Sequence, residues 1–272
     1  GYDHRVRDYR LQVVPSPSIV ETKLDCAFPH YMVDENLSLW LPRTMDLASG
    51  TQLPNGTKIT IRARSNKDLA KVDIRDPQSQ QTTVYDVAQA GGDPRHIEYL
   101  VASLQGNLTL ELTLHDTDGV VSDPPLRLFI AGIEDQPPAV AATLCGIGTA
   151  ITPDAVIPAQ GKITDDYDVD TSWFDIVVND GAPRPFPFDV AETGQVSAEL
   201  DFRAQRAAAG GLELKPQDKL AVTLMASDKC DLAAAPNVGS GDRYQLDGVT
   251  PDELLAMLER RELGLRRRVE QI

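Results

Sequence analysis

No Cys-x-x-Cys pair occurs in the chain, and its three cysteines, Cys26, Cys145 and Cys230, leave at least one thiol unpaired. Zinc-ribbon and thioredoxin-type chemistry therefore lack support. Cys145 and Cys230 fall in one part of the chain; either they bridge in an oxidising compartment, or they lie in the core as small hydrophobes. Histidine is as scarce: His4, His30, His96 and His115. Gly-x-Ser-x-Gly, His-Glu-x-x-His and a phosphate-cradling glycine loop with lysine are all missing. Only His115 has an adjacent carboxylate, Asp116, and such neighbours are far more often turn chemistry than half of a triad. No catalytic residue is assigned and no enzyme is expected; a triad assembled from distant residues is the remaining catalytic alternative. No apolar run approaches the length of a membrane span, so any anchor would lie outside this sequence. Positive charge is also in deficit, 26 Lys and Arg against 41 Asp and Glu, for a formal net charge of −15. This argues against nucleic acid or anionic lipid as a primary partner and serves solubility equally well.

What is present is β-pattern and punctuation. Apolar residues make up 42%, enough for a core, and 19 Gly and 19 Pro are spread along 272 residues, a length that suits two domains. Strand-like stretches fall at 5–14, 19–26, 57–64, 70–75, 82–87, 96–103, 107–115 and 125–132. Turns at 54–56, 91–94, 105–107 and 118–119 separate them. Leu108-Thr109-Leu110-Glu111-Leu112-Thr113-Leu114 alternates cleanly, one face core and one polar. Ile133-Glu134-Asp135-Gln136-Pro137-Pro138 reads as a stiff joint, because two prolines deny ladder donors. A second set follows at 139–145, 155–164, 171–179, 184–190, 196–202, 218–227 and 242–247. Residues 203–211 read as one or two helical turns, or as a loop crossing between sheets. About seven short strands per unit is the sequence sign of an immunoglobulin-like sandwich. The fold expected is all-β: two tandem immunoglobulin-like β-sandwich domains, 1–135 and 136–249, plus a C-terminal amphipathic α-helix over 250–272. Trp173, which alternates with Asp175, is expected to fill the centre of the second sandwich. That segment is the most acidic per residue, with 8 basic and 17 acidic groups.

Thr250-Pro251-Asp252-Glu253 is a helix start, with a capping Thr, Pro at the first helical position and Glu three residues after the cap. Behind it Leu255, Leu258, Leu265, Val269 and Ile272 share a heptad stripe that Glu262 interrupts. The stripe is still running at Ile272 and the chain begins Gly1-Tyr2. A segment of a longer protein is therefore expected, its helix either packed loosely on the second domain or paired with a neighbour's helix. Arg266-Arg267-Arg268 complements the helix dipole or forms a solvated, ion-pairing edge.

Asp165-Asp166-Tyr167-Asp168-Val169-Asp170 places four carboxylates in six residues, the composition of a Ca²⁺ site. Asp166, Asp168 and Asp170 copy the first three ligands of an EF-hand loop. The match then fails, since no glycine follows and Val177 stands where Glu is required. A looser calcium site on Asp165, Asp166, Asp168 and Asp170, with Glu134 and Asp135 near by, is one reading; an acidic turn held by its own side chains is the other. No other cofactor is expected. Asn36, Asn55 and Asn107 each open a glycosylation tripeptide, a pattern frequent by chance.

Several passages carry a family resemblance: Tyr9-Arg10-Leu11-Gln12-Val13-Val14-Pro15-Ser16-Pro17, Phe28-Pro29-His30-Tyr31, Gly56-Thr57-Lys58-Ile59-Thr60-Ile61 and Ser65-Asn66-Lys67-Asp68-Leu69. In the second half Gly146-Ile147-Gly148, Ile151-Thr152-Pro153-Asp154-Ala155, Thr164-Asp165-Asp166-Tyr167, Leu214-Lys215-Pro216-Gln217-Asp218-Lys219-Leu220 and Ala226-Ser227-Asp228 join them. Together they resemble the large membrane-anchored envelope proteins common in planctomycete bacteria. There an Asp-Asp-Tyr-Gly turn is usual; here Asp168 replaces the glycine. The resemblance implies N-terminal membrane helices, tandem immunoglobulin-like ectodomains outside the cytoplasm, in the periplasm or cell envelope, and a long C-terminal coiled region. It implies no enzyme activity. The function expected is a non-catalytic extracytoplasmic structural or interaction module with protein partners, including self-association through the C-terminal helix. Its membrane contact would run only through segments outside this sequence. A calcium-dependent or carbohydrate-binding adhesion domain is the alternative.

Overall fold

The computed structural model describes residues 13–34, 38–208 and 211–270. The chain divides into two compact units, Gly1–Glu134 and Asp135–Ile272. The expected strand over 5–14 falls, up to residue 12, outside the described residues, as do His4, Asn36 and Ile272.

Unit 1 contains β1 (Ile19–Ala27), β2 (Arg43–Asp46), β3 (Gln52–Pro54), β4 (Lys58–Ser65), β5 (Leu69–Arg75), β6 (Thr82–Asp86), the short helix α1 (Val87–Ala90), β7 (His96–Val101), β8 (Leu108–Asp116) and β9 (Leu126–Ile133). One sheet has the order β2-β1-β4-β7 and the other β3-β9-β8-β5-β6. Alternation dictates the packing: β4 buries Ile59, Ile61 and Ala63 while Lys58, Arg62 and Arg64 stay in solvent. These join Leu24, Val72 and Leu112 from both sheets in a single core.

Unit 2 contains β10 (Ala139–Leu144), β11 (Ala150–Ile151), β12 (Val156–Thr164), β13 (Val169–Val178), β14 (Arg184–Pro187), β15 (Gln195–Asp201), the helix α2 (Phe202–Ala207), β16 (Lys219–Asp228), β17 (Val238–Gly248) and the helix α3 (Pro251–Glu270). Its sheets run β10-β12-β15 and β11-β17-β16-β13-β14. The core gathers Ile157, Phe174, Ile176, Leu200, Phe202 and Leu224. Each such side chain contributes about 1.5–3 kcal/mol on burial. Gly161 in β12 has φ +146, and a Cβ there would lie 2.4 Å from the Ala141 carbonyl oxygen, so the β10–β12 contact admits only glycine.

Without β2, the two units share one strand order. β1-β4-β7 corresponds to β10-β12-β15, and β3-β9-β8-β5-β6 to β11-β17-β16-β13-β14. In each, the short inserted strand lies parallel to the last strand, β3 on β9 and β11 on β17. The correspondence reaches single residues. Leu69 pairs with Asp116 and Val169 with Asp228, and each pair is followed by a bulge, between 69 and 71 or between 169 and 171. The architecture is all-β, two tandem immunoglobulin-like β-sandwiches with a C-terminal amphipathic helix.

One expectation is corrected, one neighbouring pair is separated and three strands are added. Trp173 does not fill the second sandwich; it sits partly exposed on the outer face of β13 with Asp175, and Phe174 (1% exposed) and Ile176 point inward. His115 and Asp116 are no dyad, because successive residues of β8 face opposite ways: Asp116 is buried and His115 Nε2 bonds Asp73 Oδ2 at 2.8 Å. β2, β3 and β11 are strands that the sequence pattern did not announce. The two readings of 203–211 resolve in favour of a helix, α2, whose cap Asp201 Oδ1 accepts from the Arg203 and Ala204 amides at 2.8 and 3.2 Å; residues 209–210 lie outside the described residues. None of the three cysteines forms a disulfide, and burial pushes the Cys26 thiol pKa up.

α3 begins as the sequence indicates. The Thr250 amide donates to Glu253 Oε2 at 2.8 Å and the Glu253 amide to Thr250 Oγ1 at 3.3 Å. None of its described residues is buried, so it does not lay its apolar stripe on the second sandwich.

Candidate functional site

The end of β8 or β16 recurs in both units as a buried aspartate that holds the next loop. Asp116, 3% exposed, accepts the Asp118 and Val120 amides on Oδ1 at 3.0 and 2.7 Å. Its Oδ2 accepts from the Lys67 ammonium, which projects from the β4–β5 turn and also reaches Asp118 Oδ2 and the Pro15 carbonyl oxygen, each at 3.3 Å. Lys67 is thus a cation held among three oxygen-bearing neighbours. Its hydrogen bond keeps the Asp116 carboxyl pKa below the usual range against the penalty of burial.

Asp228, 2% exposed, does the same for the loop after β16. Its Oδ1 accepts the Cys230 and Asn237 amides, both at 3.0 Å, and its Oδ2 takes the Asn237 side-chain amide at 2.8 Å. That amide also reaches Asp135 Oδ2 at 3.4 Å, on the segment leading into β10. The electrostatics then reverse. Where the β4–β5 turn carries Asn66 and Lys67, the β12–β13 turn carries Asp165 and Asp166. Asp135 Oδ1 and Asp165 Oδ1 are enclosed and lack a hydrogen-bond partner. Burial pushes both carboxyls above their ordinary range, against a Cys230 hydrogen bond to Asp135 and the Tyr167 and Asp168 amides on Asp165; the neighbouring carboxylates add to the rise, Asp166, Asp228 and Asp165 on Asp135, and Asp166 and Asp228 on Asp165. Burial and the same negative field push the Tyr167 hydroxyl up to about 12.

The four aspartates expected as calcium ligands do not gather as a set. Asp165 Oδ2 is committed to the Tyr167 and Asp168 amides, both at 3.0 Å, as an Asx turn. Asp166 acts on the buried carboxyls. Asp168 adopts φ +133 and pairs with Lys229 at 2.5 Å. Asp170 lines, with Asp165 and Asp168, a cleft of about 500 Å³ walled by Phe188 and Val190. Among the described residues no three His, Cys, Asp or Glu side chains are spaced to hold a metal ion. Sequence reasoning missed Asp228. Its signal was the repetition of a strand-end Asp opposite Leu69 and Val169, visible only once the pairing is known. Of the glycosylation tripeptides, Asn55 Oδ1 accepts the Gly106 amide at 2.9 Å and Asn107 Oδ1 the Gly132 amide at 3.2 Å, so both asparagines hold turns.

No family model and no curated protein matches the chain. Among solved structures it is similar to the fibronectin(III)-like modules of Clostridium thermocellum CbhA, at 14% identity and TM-score 0.26, over 74% of this chain and 90% of that one. It is similar to a 1.5-MDa bacterial ice-binding adhesin at 11% identity and TM-score 0.37, over 71% and 58% of the two chains. A third is DIP-gamma IG1+IG2, at 11% identity and TM-score 0.30, over 86% and 98%. These likenesses concern architecture alone, and the all-β, twice-repeated immunoglobulin-like sandwich is what the chain's own strand order establishes.

Proposed function

We propose that this chain is a non-catalytic spacer and interaction module of a larger, membrane-anchored bacterial envelope protein of the planctomycete type, standing outside the cytoplasm. The observation that carries the reading is the repetition: one strand order, one bulge and one buried strand-end aspartate, used twice in series. Repeated sandwiches supply length, edges and loops for protein contacts rather than a reaction centre. α3 presents an exposed apolar stripe and hands the module to a coiled region, through which it self-associates. Antibody to the chain should label source cells once the outer envelope is opened and the inner membrane left sealed. Labelling that requires a breached inner membrane overturns the proposal.

A second reading, calcium binding, is favoured by the orphaned oxygens of Asp135 and Asp165. They stand where unit 1 holds an ammonium among oxygens, and a divalent cation would answer the same negative field. The ligands would be Asp135, Asp165 and Asp166, drawn together on binding. Calorimetry with Ca²⁺ should then give heat and a raised melting temperature for unit 2; neither would remove this reading.

A further inference from the structure

The charges along α3 are segregated. Residues 251–259 carry three acids and no base, whereas 260–270 carry five arginines and two acids. The stripe of Leu255, Leu258, Leu265 and Val269 is half or more exposed at every position. Heptad spacing sets Leu255, Glu262 and Val269 at a positions, Leu258 and Leu265 at d, Glu259 and Arg266 at e, and Arg261 and Arg268 at g. We infer that the occupant of this stripe is α3 of a second copy of the chain, running antiparallel.

Charge decides between the two orientations. In a parallel pair Glu262 faces the partner's Glu262 in the seam, Arg261 faces the partner's Arg266 on both flanks, and no opposite charges meet. Reversing one helix removes every one of these conflicts. Glu262 then lies against the partner's Leu265, Leu258 against the partner's Val269, and Glu259 against the partner's Arg266. By symmetry Glu259 of each helix meets Arg266 of the other, two favourable pairs on one flank. One unfavourable flank remains, Arg261 near the partner's Arg268, and it offsets only part of the gain. Within one copy Arg266 already pairs with Glu262 at 2.5 Å, which shields that carboxylate beside the seam.

This inference rests on the self-association in the proposed function, and the experiment separates the two. The full chain, with Cys145→Ser to silence the partly exposed thiol, is made as Leu258→Cys and as Val269→Cys. After mild oxidation the mixture should form a mixed disulfide dimer, and Leu258→Cys alone should not. Sedimentation should show concentration-dependent dimers. Arg266→Glu should weaken them roughly tenfold, because two favourable pairs become two unfavourable ones. Adding Glu259→Arg should restore association to within about threefold, although the internal clash of Glu262 with position 266 persists. Disulfide formation by Leu258→Cys alone, or no rescue by the double charge swap, overturns the antiparallel inference and leaves self-association standing. A chain that stays monomeric at millimolar concentration overturns both.

Discussion

Replacing Asp228 tests whether the strand-end carboxylate holds unit 2 together. Asp228→Ala strands three donors in a closed site: the Cys230 and Asn237 backbone amides and the Asn237 side-chain amide. At about 1 kcal/mol for each bond, the loss is about 3 kcal/mol. Asp228→Asn behaves differently. Its amide oxygen still accepts the two backbone N–H groups, and removal of the charge relieves the repulsion on Asp135 and Asp165. The net cost should be about 1 kcal/mol or less. The chain offers a clean reporter, since it has two tryptophans, Trp40 in unit 1 and Trp173 in unit 2. In a Trp40→Phe background the fluorescence of Trp173 follows unit 2 alone. With a urea slope of about 2 kcal/mol per molar, Asp228→Ala should lower the midpoint by about 1.5 M and Asp228→Asn by no more than about 0.5 M. Equal shifts for the two variants would refute the hydrogen-bond account. So would an alanine shift below about 0.5 M.

Asp168→Gly should stabilise unit 2 by about 0.5–1 kcal/mol in the same urea assay. Relief of a non-glycine φ of +133 outweighs the loss of an exposed pair with Lys229, and a destabilised variant would contradict the strain. Phe174→Ala should cost about 3–5 kcal/mol by circular dichroism while Trp173→Ala costs well under half as much; the reverse order would contradict the inward parity of β13. The units should also answer pH with opposite signs. The Asp135 and Asp165 pKa values are raised, so unit 2 is unpenalised below the ordinary carboxyl value near 3.8 and loses stability as pH climbs through the raised values. That of Asp116 is lowered, so its contribution to unit 1 is complete above that value and is lost as pH falls through the lowered one. Urea midpoints between pH 3 and pH 7, read at Trp40 and Trp173 in single-tryptophan variants, should move in opposite directions; parallel movement would dismiss the charge contrast.

Much of this fold is legible in the sequence because period-two alternation and turn residues are local. β1, β4 and β8 lie within a residue or two of their alternating stretches, and the α3 start follows from Thr250, Pro251 and Glu253. β3 and β11 were not legible: two or three residues pair parallel to a distant strand, and nothing in Gln52–Pro54 or Ala150–Ile151 alternates long enough to announce it. Trp173 misled because residues two apart share a face: Trp173 stands with Asp175 on the outer one, and parity assigns the core to Phe174. The Asp165–Asp170 run stood out as composition, yet its geometry depends on Asp135 and Asp228, 30 residues before and 63 after Asp165 in the numbering. Spacing along a chain says nothing about which acids face one another across a sandwich end.

A buried aspartate common to both units accounts for the loops it holds, and needs no ligand to explain it. The charges that differ between the units call for a separate cause. In unit 1 the turn supplies Lys67, and the buried carboxylate is compensated from within the chain. In unit 2 the same turn supplies Asp165 and Asp166, the incoming segment adds Asp135, and two enclosed oxygens remain unpaired. Each unpaired oxygen costs about 1–3 kcal/mol, a sizeable share of the stability of a small domain. Two species reduce that cost, a proton shared among the carboxyls or a cation drawn in from solution, and they leave different traces. A proton makes stability fall as pH rises whatever the calcium concentration. A bound cation flattens that fall, because the ion then does for unit 2 what Lys67 does for unit 1.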